Sequence, residues 1–190
     1  MATSNFFANQ IGNKNFLSPI GFKFTLSRAQ KVDFFSNTAN IPSLDLGNAI
    51  QPSYLSDLPI PGDKISFGDF NLKFIIDENF ENYIEVHNWI RSLGYPRDLG
   101  EYSRLIKERQ SSGTGDRSDA YSNIFSDGTL FVLNSNYNPV IQVKFQDLYP
   151  YSLSTLDFDA TGSDYEYFTA SVSFKYTMFD LYDASGKLIS

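Results

Sequence analysis

The chain has 190 residues, 22 acidic against 15 lysine and arginine side chains, a net charge of −7 and no cysteine. The missing cysteine excludes disulfides, thiolate catalysis and cysteine-held metals, and the acidic balance argues against a partner held by neutralising phosphates. Aromatic residues make up 16% of the chain, in short alternating runs broken by turn residues, so one mainly β domain with a real core is expected. No apolar run is long enough to cross a bilayer, no basic start leads into an apolar leader, and no N-x-S/T site is present. No membrane partner is expected.

Residues 1–15 are polar and Asn-rich and read as an N-terminal tail, with Phe6 and Phe7 either idle or anchored on a neighbouring subunit. Residues 16–190 then form the single domain. Ile20, Phe22, Phe24 and Leu26 alternate with polar residues, which predicts a strand, and Val32–Phe35 reads as its hairpin return. Thr38–Asp57 keeps many apolar residues but shows no period. Residues 38–61 are therefore expected to be an extended arm or loop, too apolar for plain disorder.

The best-specified stretch is Asp57–Pro96. Pro59, Pro61 and the Gly62-Asp63 pair read as a turn that closes the arm. Ile65 and Phe67 alternate, as do Leu72, Phe74 and Ile76 after a Gly68-Asp69 turn, so two strands are expected. At Asp77 the period changes. A helix over Asn79–Leu93 has Asp77 or Asn79 as its cap and Tyr83, Val86, Ile90 and Leu93 on one face, with Phe80 and Trp89 on its flanks. Gly94 is placed as a left-handed stop, and Pro96 prevents continuation. A second, weaker helix around Leu99–Arg109 follows, then a flexible Gly/Ser loop over 110–118. Thr129–Leu133 and Val140–Phe145 form a hairpin about Asn134–Pro139. Asp147–Pro150 turns a corner, Leu153–Phe158 is a further strand, and Tyr165–Phe179 closes the sheet with Phe168, Ala170, Val172, Phe174 and Tyr176 on one face. The expected fold class is mainly β with one or two helices, an antiparallel β-barrel or sandwich.

Catalytic chemistry finds little footing. His87 is the only histidine and lies at the edge of the helical stripe, where a structural role is expected. Asp157, Asp159, Thr161 and Gly162 begin like a calcium loop, but Phe168 stands where a bidentate glutamate is needed. The Gly-rich GTGDRS run lacks the Lys-Ser/Thr ending of a phosphate loop. No catalytic, cofactor-binding or metal-binding residue is assigned, and no enzyme is expected.

Two blocks carry a resemblance. LPIPGDKISFGDFNLKFIIDENFENYIEVHNWIRSLG, from Leu58, resembles tail-tube-type proteins of contractile-tailed bacteriophages, in which a strand ends in an acidic pair and leads into a Trp-containing helix. VKFQDLYPYSLSTLDFDATGSDYEYFTASVSFKYTMFDLYD, Val143–Asp183, is similar to that family's C-terminal strands and aromatic-Pro corner. The resemblance implies a virion structural protein, assembled in the host cytoplasm. Six copies would join edge to edge into a ring of the tail tube, or of the baseplate end that initiates it. Its implied partners are itself, adjacent ring proteins, the sheath outside, and the tape-measure protein or ejected DNA within the lumen, without specific nucleic-acid binding. In that setting the arm reaches onto neighbours, so Leu44, Leu46, Tyr54 and Leu55 are expected at subunit contacts. Asp157, Asp159, Asp164 and Glu166 are candidates for an acidic lumen that repels phosphate, with the outer surface as their alternative place. The rival reading is a secreted or surface β-sandwich that binds carbohydrate on exposed Tyr and Trp; a weaker third is a glycosidase using Asp157 and Asp159.

Overall fold

A computed structural model describes residues 17, 19–28, 32, 36–94, 97–98, 100, 102–104, 107, 124–158 and 167–189. Among the described residues nine strands and a long helix are defined: β1 (Phe22–Leu26), β2 (Ser36–Ala39), β3 (Leu44–Gln51), β4 (Leu58–Phe67), β5 (Phe70–Ile75), α1 (Glu81–Gly94), β6 (Ser126–Leu133), β7 (Pro139–Leu153), β8 (Thr169–Lys175) and β9 (Met178–Asp183). Of the expected second helix, residues 100, 102–104 and 107 are described and are helical.

Every pairing among these strands is antiparallel. Strand β7 organises them. Its first part lies between β6 and β9, and β1 pairs β6 beyond; its last residues pair β8, which leads on to β5 and β2. One long strand thus belongs to two sheets. It changes sheet around Asp147, whose φ is 56°, with register shifts on both sides. The expected corner at Asp147–Pro150 is therefore a bend inside a strand, the ordinary means by which a sheet folds over itself.

The inner faces of the two sheets meet in an aromatic core. Phe24, Phe70, Phe74, Phe145 and Phe174 are fully buried with Leu72, Val143, Ala170 and Val172. Ring centroids lie 5.0 Å apart for Phe24 and Phe70, and 4.6 Å for Phe70 and Phe145, which stitches β1, β5 and β7 together. The buried, exposed alternation of β5 and β8 follows their sequence period, because each has one face on this core.

Helix α1 closes one side of the core. Its start is fixed by the Asp77 carboxylate, which accepts from the Asn82 backbone N–H at 3.2 Å, while Phe80 takes a left-handed φ of 59°. Asn82 is fully buried and satisfied: its amide donates to the Ile75 carbonyl at 2.8 Å and accepts from the Asp77 N–H at 3.4 Å. The buried stripe is Asn82, Val86 and Trp89, with Tyr83, Ile90 and Leu93 packed at its margin. The helix is thus rotated towards Trp89 relative to the sequence reading. The indole explains the shift, since its ring packs 6.3 Å from Phe174 and its N–H donates to the Ile124 carbonyl at 3.2 Å. Gly94 is the last helical residue and has no left-handed backbone.

Several local expectations are corrected. Val32 is helical and buried, residues 33–35 lie outside the described ones, and the partner of β1 is β6, far along the chain. Residues 154–158 are not a strand, although the Ser154 N–H still donates to the Ser171 carbonyl. The closing strand is two: β8 ends at Lys175, and β9 starts at Met178 and crosses to β7, the Thr177 N–H donating to the Gln146 carbonyl. The arm expected to lack regular structure is a β-hairpin, and Pro59, Pro61 and Gly62-Asp63 lie within its second strand instead of forming a turn.

Candidate assembly surfaces

The β3–β4 hairpin is a two-stranded sheet of its own, and every residue of β3 is exposed. Its register assigns side chains to faces. Leu44 opposes Phe67, Leu46 opposes Ile65, Asn48 opposes Pro61 and Ile50 opposes Pro59, so these eight share one face. The other face carries Asp45, Lys64 and Ser66 near the root and Ala49, Leu58 and Ile60 towards the tip. Two extra residues in β4 separate the halves, and there the backbones approach closely: a Cβ on Gly62 would stand 2.5 Å from the Gly47 carbonyl oxygen. Only glycine fits that crossing.

Leu46 is 55% and Ile50 64% exposed, and Tyr54 and Leu55, between the strands, are almost wholly in water. The four arm residues picked from sequence, Leu44, Leu46, Tyr54 and Leu55, thus lie on or at the end of one exposed apolar projection. Ile50, Leu58, Ile60 and Ile65 belong with them. Their signal was present as Leu44-Asp45-Leu46, but Gly47 and the uneven strand lengths break the period after two turns of alternation. Phe6 and Phe7 lie outside the described residues.

The root of the hairpin is tied to the body. Phe67 packs 5.6 Å from Phe179 and 6.0 Å from Tyr176, and these rings continue through Phe145 into the core. The Tyr176 hydroxyl donates to the Gly68 carbonyl at 2.8 Å, and the Gly68 N–H donates to the Ser43 carbonyl at 3.0 Å. Burial, followed by the nearby Asp69 charge, pushes the Tyr176 phenol up to about 12. On the outer side, Asp69 pairs with Lys175 and accepts from the Tyr151 hydroxyl at 2.6 Å. The Lys175 ammonium and then the Tyr151 hydroxyl hold the Asp69 carboxyl below its ordinary value. The Asn40 carboxamide brackets the same corner, donating to the Asp69 carbonyl at 3.1 Å and accepting from the Asn71 N–H at 2.6 Å.

The sheet β7-β8-β5-β2 turns a polar face away from the core. Asn71, Lys73, Ser171, Ser173 and Lys175 occupy its alternate positions, and the Ser173 hydroxyl donates to the Asn71 side-chain carbonyl at 2.6 Å. Among the described residues, β2 and residues 149–153 of β7 are its open edges. Of the acidic lumen candidates, Asp157 is exposed and in no strand, while Asp159, Asp164 and Glu166 lie outside the described residues.

His87 is exposed and stacks on Tyr83 at 6.5 Å. Among the described residues no three His, Cys, Asp or Glu side chains gather where a metal could sit, and no helix is long and apolar enough to cross a membrane. Trp89 is 3% exposed, so the indole platform of the carbohydrate-binding reading is inside the core.

The profile of the phage tail tube protein family matches residues 2–181. No curated protein matches the chain in sequence. Among solved structures, the tube-terminating cap of the anti-feeding prophage is similar with a TM-score of 0.58 and 12% identity, over 95% of this chain and 99% of that one. The sheath/tube terminator of an extracellular contractile injection system, PVC, gives 0.57 and 12%, over 89% and 99%. A chain of the sheath–tube complex of the PVC system gives 0.56 and 11%, over 90% and 93%. At such identities the likeness is one of fold, and it extends over nearly the whole chain.

Proposed function

The chain belongs to the phage tail tube protein family, and we propose that six copies close into a ring, that rings stack into a tube, and that the β3–β4 hairpin carries contacts between copies. The observation that supports this most directly is the hairpin itself. Leu44, Leu46, Ile50 and Ile65 form a face that is more than half exposed in the single chain, with Tyr54 and Leu55 beyond it. At roughly 25 cal/mol per Å² of apolar surface, covering a few such side chains contributes several kcal/mol before ordering costs. Leu44, Leu46, Tyr54 and Leu55 are the proposed subunit contacts, and Phe6 and Phe7 are proposed as further anchors.

Ring closure through the β7-β8-β5-β2 sheet is geometrically simple. Four antiparallel strands put β2 and the 149–153 part of β7 on opposite edges with opposite directions. Rotation about a ring axis preserves direction, so β2 of one copy meets residues 149–153 of the next in antiparallel sense. Such closure covers both open edges of this sheet. The face bearing Asn71, Lys73, Ser171, Ser173 and Lys175 then lines the channel, presenting two hydroxyls, an amide and two lysines, of which Lys175 is paired with Asp69. Asp157, Asp159, Asp164 and Glu166 belong to the segment joining β7 to β8, two strands of that sheet, and are proposed to repel phosphate at the channel rim. The ring works in the phage tail, along the tube or at the baseplate end that starts it, with sheath outside and tape-measure protein or DNA inside. It assembles in the host cytoplasm.

Negative-stain imaging of the purified protein tests this. Six-fold rings or tubes are expected, and they should disappear in a Leu44→Ser, Leu46→Ser variant whose monomer keeps its melting temperature. Featureless monomers from the unaltered chain at every concentration would overturn the proposal. A variant that unfolds would show that this face belongs to the chain's own core.

A further inference from the structure

We propose that the hairpin has one adhesive edge and one guarded edge, and that β3, not β4, pairs its backbone with a strand of a second copy. This rests on the tube reading above. The Gly68 N–H donates to the Ser43 carbonyl, which makes 43 and 68 a hydrogen-bonded pair. In an antiparallel ladder such pairs alternate with pairs whose backbone groups point outward. Leu44 with Phe67 and Leu46 with Ile65 are therefore outward pairs, and because the shift beyond them inserts an even number of residues, two, in β4, Asn48 with Pro61 and Ile50 with Pro59 fall in the same phase.

The two outer edges then differ. On β3, Leu44, Leu46, Asn48 and Ile50 each offer an N–H and a carbonyl to the outside, and no described strand pairs with that side. On β4, two of the four outward positions are Pro59 and Pro61, which have no N–H to offer. Proline in a ladder is tolerated where its nitrogen faces away from the partner, and there it blunts the edge against strand addition. Pro42 and Pro52 flank β3 but none interrupts it. An eight-residue exposed strand whose one charge, Asp45, sits on the opposite face is an aggregation hazard unless something covers it. A chain that stacks on its own copies supplies that cover. Guarding only β4 gives the contact a direction, so a hairpin adds to one neighbour and cannot run on into an unending sheet.

The test uses the full chain. Asn48→Pro removes one outward donor while leaving the inward ladder intact, since the nitrogen at 48 points away from β4. Asn48→Val keeps the donor and changes only the side chain. With the edge used as proposed, the concentration needed for assembly rises about tenfold or more in Asn48→Pro and stays near the wild-type value in Asn48→Val. Amide exchange at Ala49, Gln51 and Ile60, whose N–H groups face across the hairpin, reports whether the ladder survives. If it does not, Leu46→Pro against Leu46→Val makes the same comparison one outward position earlier, the loss in the proline variant beyond that in the valine variant being the share of the edge, since the Leu46 side chain is itself a proposed contact. Equal assembly of proline and valine variants overturns the edge assignment and leaves the tube reading standing. Equal loss in both shows that the side-chain face alone is used, and also overturns it. A wild-type chain that never assembles overturns both.

Discussion

Strands β5 and β3 are built from similar materials and meet opposite fates. β5 reads FNLKFI and sinks Phe70, Leu72 and Phe74 completely, while β3 reads LDLGNAIQ and leaves all eight residues in water. The difference lies in what stands opposite. β5 is flanked by β2 and β8 and faces β1 and β7 across the core; β3 has β4 alone. The apolar alternation of a strand declares a face to be covered but not by whom. In one chain the same kind of pattern encodes a buried core in β5 and, earlier in β3, a face that stays exposed.

Breaking the core side of that contrast should have the largest effect. Phe74→Ala removes a fully buried ring opposite Ala170, and a loss of about 3–5 kcal/mol in unfolding free energy is expected from urea denaturation. Next comes the buried amide that joins β5 to α1. Asn82→Ala strands the Ile75 carbonyl and the Asp77 N–H, for an expected loss of about 1–3 kcal/mol.

A smaller effect sharpens the root of the hairpin. The Tyr176 phenol, pushed up to about 12 from an ordinary 10.0, stays protonated in the folded chain after it has ionised in the unfolded one. The unfolded state then binds fewer protons, so stability falls as pH rises from about 10 to about 12. The melting temperature should decline across that window, and less steeply in Tyr176→Phe. Asp69 acts with the opposite sign. Its lowered value stabilises the fold above the ordinary carboxylate range, and that contribution fades as pH falls through the folded value.

The same contrast explains how much was legible beforehand. β5, α1 and β8 could be read because each has one buried face and an uninterrupted period; Ala170, Val172 and Phe174 fell on the expected side. The hairpin could not, because both its faces are exposed at the tip and the Gly47–Gly62 crossing interrupts the alternation. Its apolar excess was nevertheless visible, and it pointed to Leu44, Leu46, Tyr54 and Leu55. The corner at Asp147–Pro150 was visible, but the continuity of β7 through it was not, because a strand that changes sheet keeps no single inner face. The Asp69, Tyr151 and Lys175 cluster had no local signal at all, since its members are 82 and 106 positions apart and meet only through strand order.

Hydrogen exchange of the same protein in dissociated and assembled form tests the central claim most directly. The core amides of β5 and β8 should be protected in both states. The amides of Leu44, Leu46, Asn48 and Ile50 should exchange freely in the single chain and become strongly protected in the assembled particle. Protection of these four already in the monomer, or its absence in the assembled tube, would contradict the assignment of the hairpin to contacts between copies.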